Sequence, residues 1–130
     1  MKKVLIVGPC YADAAALKKF LESNFSVNTV ELTKIKEATD FLKQRSCDFI
    51  LVTRICIGDK KPGAELIDYV IKNCPDKPII MLTRFPEAQE KAIKAGAKTA
   101  FDMDLLIGFI RPSMEEKRKR VLEYLNEQLS

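Results

Sequence analysis

The chain has 130 residues, of which 47% are hydrophobic and 31% charged, and its formal net charge is +4. A chain of this length buries enough apolar surface to fold without a stabilising metal ion or disulfide bond. The length also predicts one domain over residues 1–130. Four cysteines without paired CxxC spacing, in a sequence that lacks histidine, argue against a zinc site and favour free thiols. The composition therefore favours a globular domain that holds no metal or other cofactor.

The amino terminus carries two lysines and then an apolar run, Val4 to Val7, that stops at Gly8-Pro9. This run is too short for the apolar core of a signal peptide and for a membrane span. It suits a first buried β-strand instead. We therefore expect a cytoplasmic protein without membrane attachment.

Hydrophobic periodicity predicts five strands alternating with five helices. The predicted strands cover 4–7, 26–32, 48–53, 78–83 and a short stretch within 98–103. The predicted helices run from Asp13 to Ser23, from Thr33 to Gln44, from beyond Pro62-Gly63 to Asn73, from Glu87 to Ala95 and from Met114 to Gln128. Short helical crossovers between strands predict an α/β fold, a doubly wound parallel sheet of the flavodoxin-like (βα)5 type with strand order 2-1-3-4-5.

Local signals predict how several helices begin, end and pack. Asp13 is the expected N-cap of the first helix, and Ser113 with Glu116 predicts a capping box before the last one. Gly96 is the expected C′ glycine of the fourth helix. The third helix is expected to bury four apolar residues: Leu66, Ile67, Val70 and Ile71.

The third predicted strand, Asp48 to Thr53, reads as a fully buried strand around which the rest of the chain is organised. Its unbroken run of large apolar residues is typical of a strand covered by helices on both faces. Ligands and reactive groups of open α/β sheets collect beyond the carboxyl ends of the strands. Thr53, at the end of this strand, therefore marks the expected functional edge.

Several segments together resemble the receiver domain of bacterial response regulators, over residues 2–104 at least. They are the opening Lys3 to Val7, Glu37-Ala38, the strand Asp48 to Val52, Pro62-Gly63, Ile79 to Thr83, and Gly96-Ala97. In that family, two acidic residues after the first strand hold Mg²⁺ and an aspartate ending the third strand accepts a phosphoryl group. A threonine or serine ends the fourth strand, and a lysine-proline pair follows the fifth.

The positions that correspond to those family residues are Gly8, Pro9, Thr53, Thr83 and Met103, the last followed by Asp104. An alternative register places Arg111-Pro112 at the lysine-proline position after an insertion, and the sequence leaves both registers open. Phosphoryl transfer to a receiver needs a carboxylate nucleophile and hard oxygen ligands for Mg²⁺. Only the hydroxyl of Thr83 survives, so aspartyl phosphate chemistry is excluded and no catalytic residue is expected.

Basic residues follow the strand ends: Arg54, Lys60, Lys61 and Arg84. We call these four residues the basic mouth. One hypothesis is that the basic mouth binds an anion or an acidic partner surface. The alternative is that these residues are solvated loop charges. Cys10 and Cys56 also follow neighbouring strands. They suggest a thiol switch, against the alternative that each is a small buried hydrophobe.

The resemblance and the missing residues together predict a stand-alone pseudo-receiver. It would be a non-enzymatic, phosphorylation-independent interaction module of bacterial two-component signalling. Expected partners are a signalling kinase or output protein, or a second copy through 87–95, 98–103 and 114–128. The alternative is a flavodoxin-like domain that binds a small anionic ligand or nucleotide at the basic mouth. The glutamates that accompany Lys117 to Arg120 argue against nucleic-acid binding.

Overall fold

The structure, a computed structural model, describes residues 1–130 and contains one five-stranded parallel sheet. The strands are β1 (Lys2–Val7), β2 (Val27–Leu32), β3 (Phe49–Thr53), β4 (Ile79–Leu82) and β5 (Thr99–Phe101). Their order in the sheet is β2-β1-β3-β4-β5, and every neighbouring pair is parallel. The predicted fold class and strand order are therefore confirmed.

Six α-helices connect or follow the strands. They are α1 (Tyr11–Asn24), α2 (Ile35–Gln44), α3 (Ala64–Asn73), α4 (Pro86–Ala95), α5 (Asp104–Ile107) and α6 (Glu115–Leu129), with a 3₁₀ turn over Pro112–Met114. None of them has the length and apolar character needed to cross a membrane.

Both faces of the sheet carry a hydrophobic core, because the side chains of β1 and β3 point alternately to opposite faces. Leu5 and Ile50 pack with the buried residues of α2, α3 and α4 on one face. Ile6 and Leu51 pack with those of α1, α5 and α6 on the other. A strand buried on both faces has no solvent-facing position, and this explains the unbroken apolar run seen in the sequence.

Three predictions about helix ends and packing were wrong. Cys10, not Asp13, is the N-cap of α1. Asp13 lies in the first turn, where the positive end of the helix dipole stabilises a carboxylate. Ser113 forms no capping box, because it lies inside the 3₁₀ turn and α6 begins only at Glu115. Ile71 is exposed rather than buried.

The prediction of Gly96 as the glycine that ends the fourth helix is confirmed. Gly96 has a φ of +121°, which strongly favours glycine, and its N–H donates to Ile93 O at 3.1 Å.

The main departure from the predicted element order lies between β5 and the last helix. The sequence predicted five helices, whereas the structure inserts the one-turn helix α5 before α6. Leu105 and Leu106 of α5 are buried against the core on the α1 side. Arg118 of α6 donates from Nε to Leu105 O at 3.1 Å, so one residue of the basic run 117–120 joins α6 to the inserted helix.

Candidate functional site

The carboxyl ends of β1, β3, β4 and β5 meet around a cavity of about 450 Å³, here called the strand-end cavity. All five residues predicted for the degenerate phosphorylation pocket line it: Gly8, Pro9, Thr53, Thr83 and Met103. Parallel strands bring these residues together because their carboxyl ends share one edge of the sheet.

The hydroxyl of Thr53 already forms a hydrogen bond within the chain. Thr53 is only 7% exposed, and its Oγ1–H donates to Ile55 O at 2.9 Å. No carboxylate hydrogen-bonds to this hydroxyl to activate it. A threonine hydroxyl in this arrangement is a structural hydrogen-bond donor and not a nucleophile.

Gly8 approaches Thr53 so closely that no side chain fits between them. Its φ is +105°, and a Cβ built there would overlap Thr53 Oγ1 and lie 2.8 Å from Cys56 Sγ. The backbone is held on both sides, since Gly8 N–H donates to Leu32 O at 2.8 Å and Gly8 O accepts from Ile57 N–H at 2.9 Å. An acidic side chain at this position would therefore have to displace Thr53 and Cys56 and would strain the backbone.

The residues present do not fit the Mg²⁺ site that the receiver resemblance implies. Gly8 and Pro9 offer no side-chain oxygen, and no cluster of three or more aspartate, glutamate, cysteine or histidine side chains in the chain could hold a metal ion. Mg²⁺ needs oxygen ligands in octahedral geometry, usually including carboxylates.

Asp59, in the loop after β3, also has a structural role. Its Oδ2 accepts from the Ile35 N–H at 2.9 Å, at the start of α2. This carboxylate caps the helix from another loop, which the sequence alone did not indicate.

Thr83 likewise has a structural role in the turn that leads into α4. Thr83 is 7% exposed, and its Oγ1 accepts from Phe85 N–H at 3.2 Å. Its carbonyl oxygen accepts from Gln89 Nε2 at 2.8 Å. These bonds hold the turn at the start of the helix.

The two stretches considered for the lysine-proline position lie in different parts of the structure. Met103 lines the strand-end cavity directly after β5, and Asp104 N–H donates to Asp102 Oδ1 at 2.9 Å as α5 begins. Arg111 is exposed, precedes the 3₁₀ turn, and does not line this cavity. Met103-Asp104 therefore occupies the position next to the strand, and Arg111-Pro112 follows the inserted helix.

The charged residues around the cavity are of both signs. Three of the four predicted basic residues line it, namely Arg54, Lys60 and Arg84, whereas Lys61 does not. Three carboxylates line the same cavity: Asp13, Asp102 and Asp104. No ion pair within 4.0 Å joins the two groups. The cavity is thus balanced in charge, because α1 and the segment after β5 contribute acidic residues that lie far apart in the sequence.

Phe85 organises two of the basic side chains. The Cζ atoms of Arg54 and Arg84 lie 5.2 and 5.3 Å from the centre of its ring. Guanidinium groups at this distance gain a cation–π attraction. In the sequence, the only signal for this role of Phe85 is its position directly after Arg84.

The two cysteines proposed as a thiol switch differ in their surroundings. Cys56 is fully buried, and this burial raises the pKa of its thiol to about 11, with a further increase from Asp59 and a partly offsetting hydrogen bond to Thr53. Cys10 is partly exposed. The reactive thiolate of Cys56 is therefore disfavoured near neutral pH, which argues against a switch at this position.

Solved receiver domains resemble this structure over nearly its whole length. The beryllofluoride-activated NtrC4 receiver domain dimer has a TM-score of 0.74 and 23% identity, and the match covers 100% of both chains. The CheY-like response regulator receiver domain protein from Methanospirillum hungatei JF-1 has a TM-score of 0.72 and 22% identity, over 98% of this chain and 96% of that one. The receiver domain of Francisella response regulator 1452 has a TM-score of 0.69 and 22% identity, over 93% and 99%.

No family model and no curated protein sequence matches the chain. At these identities the likeness establishes the receiver fold, whereas function has to be argued from the site itself.

Replacing Gly8 by alanine is expected to destabilise the protein by about 2 kcal/mol or more, because the new methyl group overlaps Thr53 Oγ1 at a positive φ. Urea unfolding of Gly8→Ala, Thr53→Ala and the double variant measures the coupling. If the overlap is the cause, the double variant loses less than the sum of the two single losses. Strictly additive losses would contradict the close approach.

Two buried thiols are expected to make the protein less stable in alkali. Burial raises the pKa of Cys47 and of Cys56 from 9.0 to about 11. The folded state keeps these protons while the unfolded state loses them, so their contribution is complete below pH 9 and disappears between pH 9 and 11. The free energy of unfolding should therefore fall more steeply over this range in the native protein than in Cys47→Ala/Cys56→Ala. Equal slopes would contradict the prediction.

Proposed function

We propose that this chain is a pseudo-receiver, a phosphorylation-independent protein-interaction module of bacterial two-component signal transduction. The observation that carries the proposal is the contact between Gly8 and Thr53. It leaves no room for a metal-binding side chain, and a threonine stands at the acceptor position.

The strand-end residues support a module with one resting conformation. The Thr53 hydroxyl bonds to Ile55 and the Thr83 hydroxyl bonds to Phe85, so both belong to local turns. In the resembling family these positions respond to the phosphoryl group. In this chain the two hydroxyls form internal hydrogen bonds instead of responding to a phosphoryl group. We therefore infer that the surface presented to partners does not depend on phosphorylation.

The proposed partners are a signalling kinase or an output protein, and the proposed activity is binding without catalysis. A homodimer is also proposed through α4, β5 and α6, the elements that correspond to the docking face of the resembling family. Ile93 of α4 is 49% exposed and supports a contact there. The 130 residues would act as one unit, and cytoplasmic location stays a prediction.

A second candidate function is the binding of a small anion or nucleotide in the strand-end cavity. Arg54, Lys60 and Arg84 favour it because no carboxylate pairs with them within 4.0 Å. The three lining carboxylates oppose it. Calorimetric titration with phosphate, nucleotides and cyclic dinucleotides tests it. Saturable heat that is lost in Arg84→Ala would favour the ligand function, and no heat would exclude it for these ligands.

The proposed function is tested by incubation with acetyl phosphate and Mg²⁺, followed by intact-mass analysis. We expect no adduct, because neither the nucleophile nor the metal ligands are present. A phosphorylatable receiver domain treated in parallel serves as the positive control. An acid-labile adduct on the native protein would overturn the proposal, and peptide mapping would then examine Asp48 and Asp59 as acceptors.

Thr53→Asp and Thr53→Val form a matched pair that tests the role of the hydroxyl. The valine variant should lose about 1 kcal/mol, the contribution of one hydrogen bond. The aspartate variant should lose more, because an ionised carboxylate beside Ile55 O is buried without a donor or a metal. Urea unfolding measures both. An aspartate variant as stable as the native protein, or stabilised by Mg²⁺, would show that the pocket still accepts the family's chemistry.

A further inference from the structure

A second and larger cavity lies beside the strand-end cavity, between the loop after β3 and helix α4. This feature, here called the α4 groove, has a volume of about 750 Å³. It is lined by residues of the loop after β3, the start of α3, strand β4 and helix α4. This volume is within the range of protein pockets that enclose a ligand.

Small side chains create the groove. Ala64 opens α3, and Ala88 and Ala92 face the groove one turn apart on α4. The floor is Met81 of β4, which is only 3% exposed and has a flexible thioether that adapts to different shapes.

The wall formed by the loop after β3 is held by backbone contacts. Ile55 and Pro62 form an isolated antiparallel bridge, and Cys56 N–H donates to Lys61 O at 2.9 Å. On the other side, Pro86 is the first residue of α4 and fixes the entry into the helix. The groove is therefore largely formed before anything binds.

Two large apolar side chains stand exposed at the rim. Ile55 is 41% exposed and Phe85 is 46% exposed. Exposed aromatic and aliphatic groups next to an apolar cleft are typical of the centre of a protein interface.

The charge of the α4 groove differs from that of the strand-end cavity. Its lining contains two cations, Arg54 and Lys91, and one carboxylate, Glu87. Arg84 adds a third cation at the rim, because its guanidinium lies against the Phe85 ring. Glu87 forms no ion pair within 4.0 Å, so none of these cations is neutralised by it. The rim is thus complementary to an acidic partner.

We propose that the α4 groove binds a peptide segment of a protein partner in which a large apolar side chain is flanked by carboxylates. The apolar side chain lies over Met81 between Ile55 and Phe85. The carboxylates bind Arg54 and Arg84, whose planar guanidiniums are already oriented by the Phe85 ring. This inference rests on the proposed interaction function and specifies its surface and the chemistry of its partner.

The test begins with selection from a random peptide display library against the purified native protein. We expect enrichment of sequences that place phenylalanine, leucine or another large apolar residue next to aspartate or glutamate. The affinity of a synthesised, enriched peptide is then measured by fluorescence anisotropy. No enrichment over an unrelated basic protein, or enrichment of basic sequences, would overturn the inference.

Matched variants locate the binding site. Ala88→Leu fills the groove, and Ala15→Leu adds the same bulk at an exposed position on α1. Arg54→Glu reverses a rim charge, and Arg45→Glu makes the same change at the end of α2. We expect each groove variant to weaken binding by about tenfold or more and each control to change it by less than about twofold. Thermal unfolding verifies that all four variants fold.

The outcome also separates this inference from the proposed function. Peptide binding that survives Ala88→Leu but fails in Ile93→Glu, a change on α4 outside the groove lining, would overturn the groove and leave the interaction module standing. A dimer in light scattering that Ala88→Leu dissociates would replace the peptide by a second copy of the chain. An adduct with acetyl phosphate would overturn the proposed function itself.

Discussion

Burial of the central strands on both faces is the constraint on which the rest of this structure depends. Every residue of β3 is buried, and β1 is buried from Val4 onward. A side chain inside such a sheet has no access to solvent, so reactive or binding groups lie where the strands end or on the helices and loops that cover the sheet. The sheet therefore provides a rigid support for the loops at its carboxyl edge.

At that edge, the loops after β1 and β3 pack against each other. Gly8 lies against Thr53 and Cys56, and its carbonyl oxygen accepts from Ile57 N–H. A side chain at Gly8 would meet the Thr53 hydroxyl and Cys56, so these groups already fill the space next to this backbone position. The proposed absence of phosphorylation chemistry therefore rests on packing as well as on composition.

The structure has two neighbouring cavities at the place where the sequence predicted one basic mouth. The strand-end cavity has balanced charge, whereas the α4 groove has an apolar floor and a mainly cationic rim. Arg54, Ile55 and Phe85 line both, so a partner in the groove would also alter the entrance to the strand-end cavity. This shared wall connects the two sites physically.

The sequence by itself determined the α/β class, the strand order and the set of strand-end residues that line one cavity, because apolar periodicity and position at a strand end are local properties. It could not determine the inserted helix α5, whose burial depends on α1 and α6. Nor could it show that Asp13, Asp102 and Asp104 surround one cavity, or that Ala64 and Ala88 leave a groove. Those features join residues that are distant along the chain, so only tertiary packing decided them.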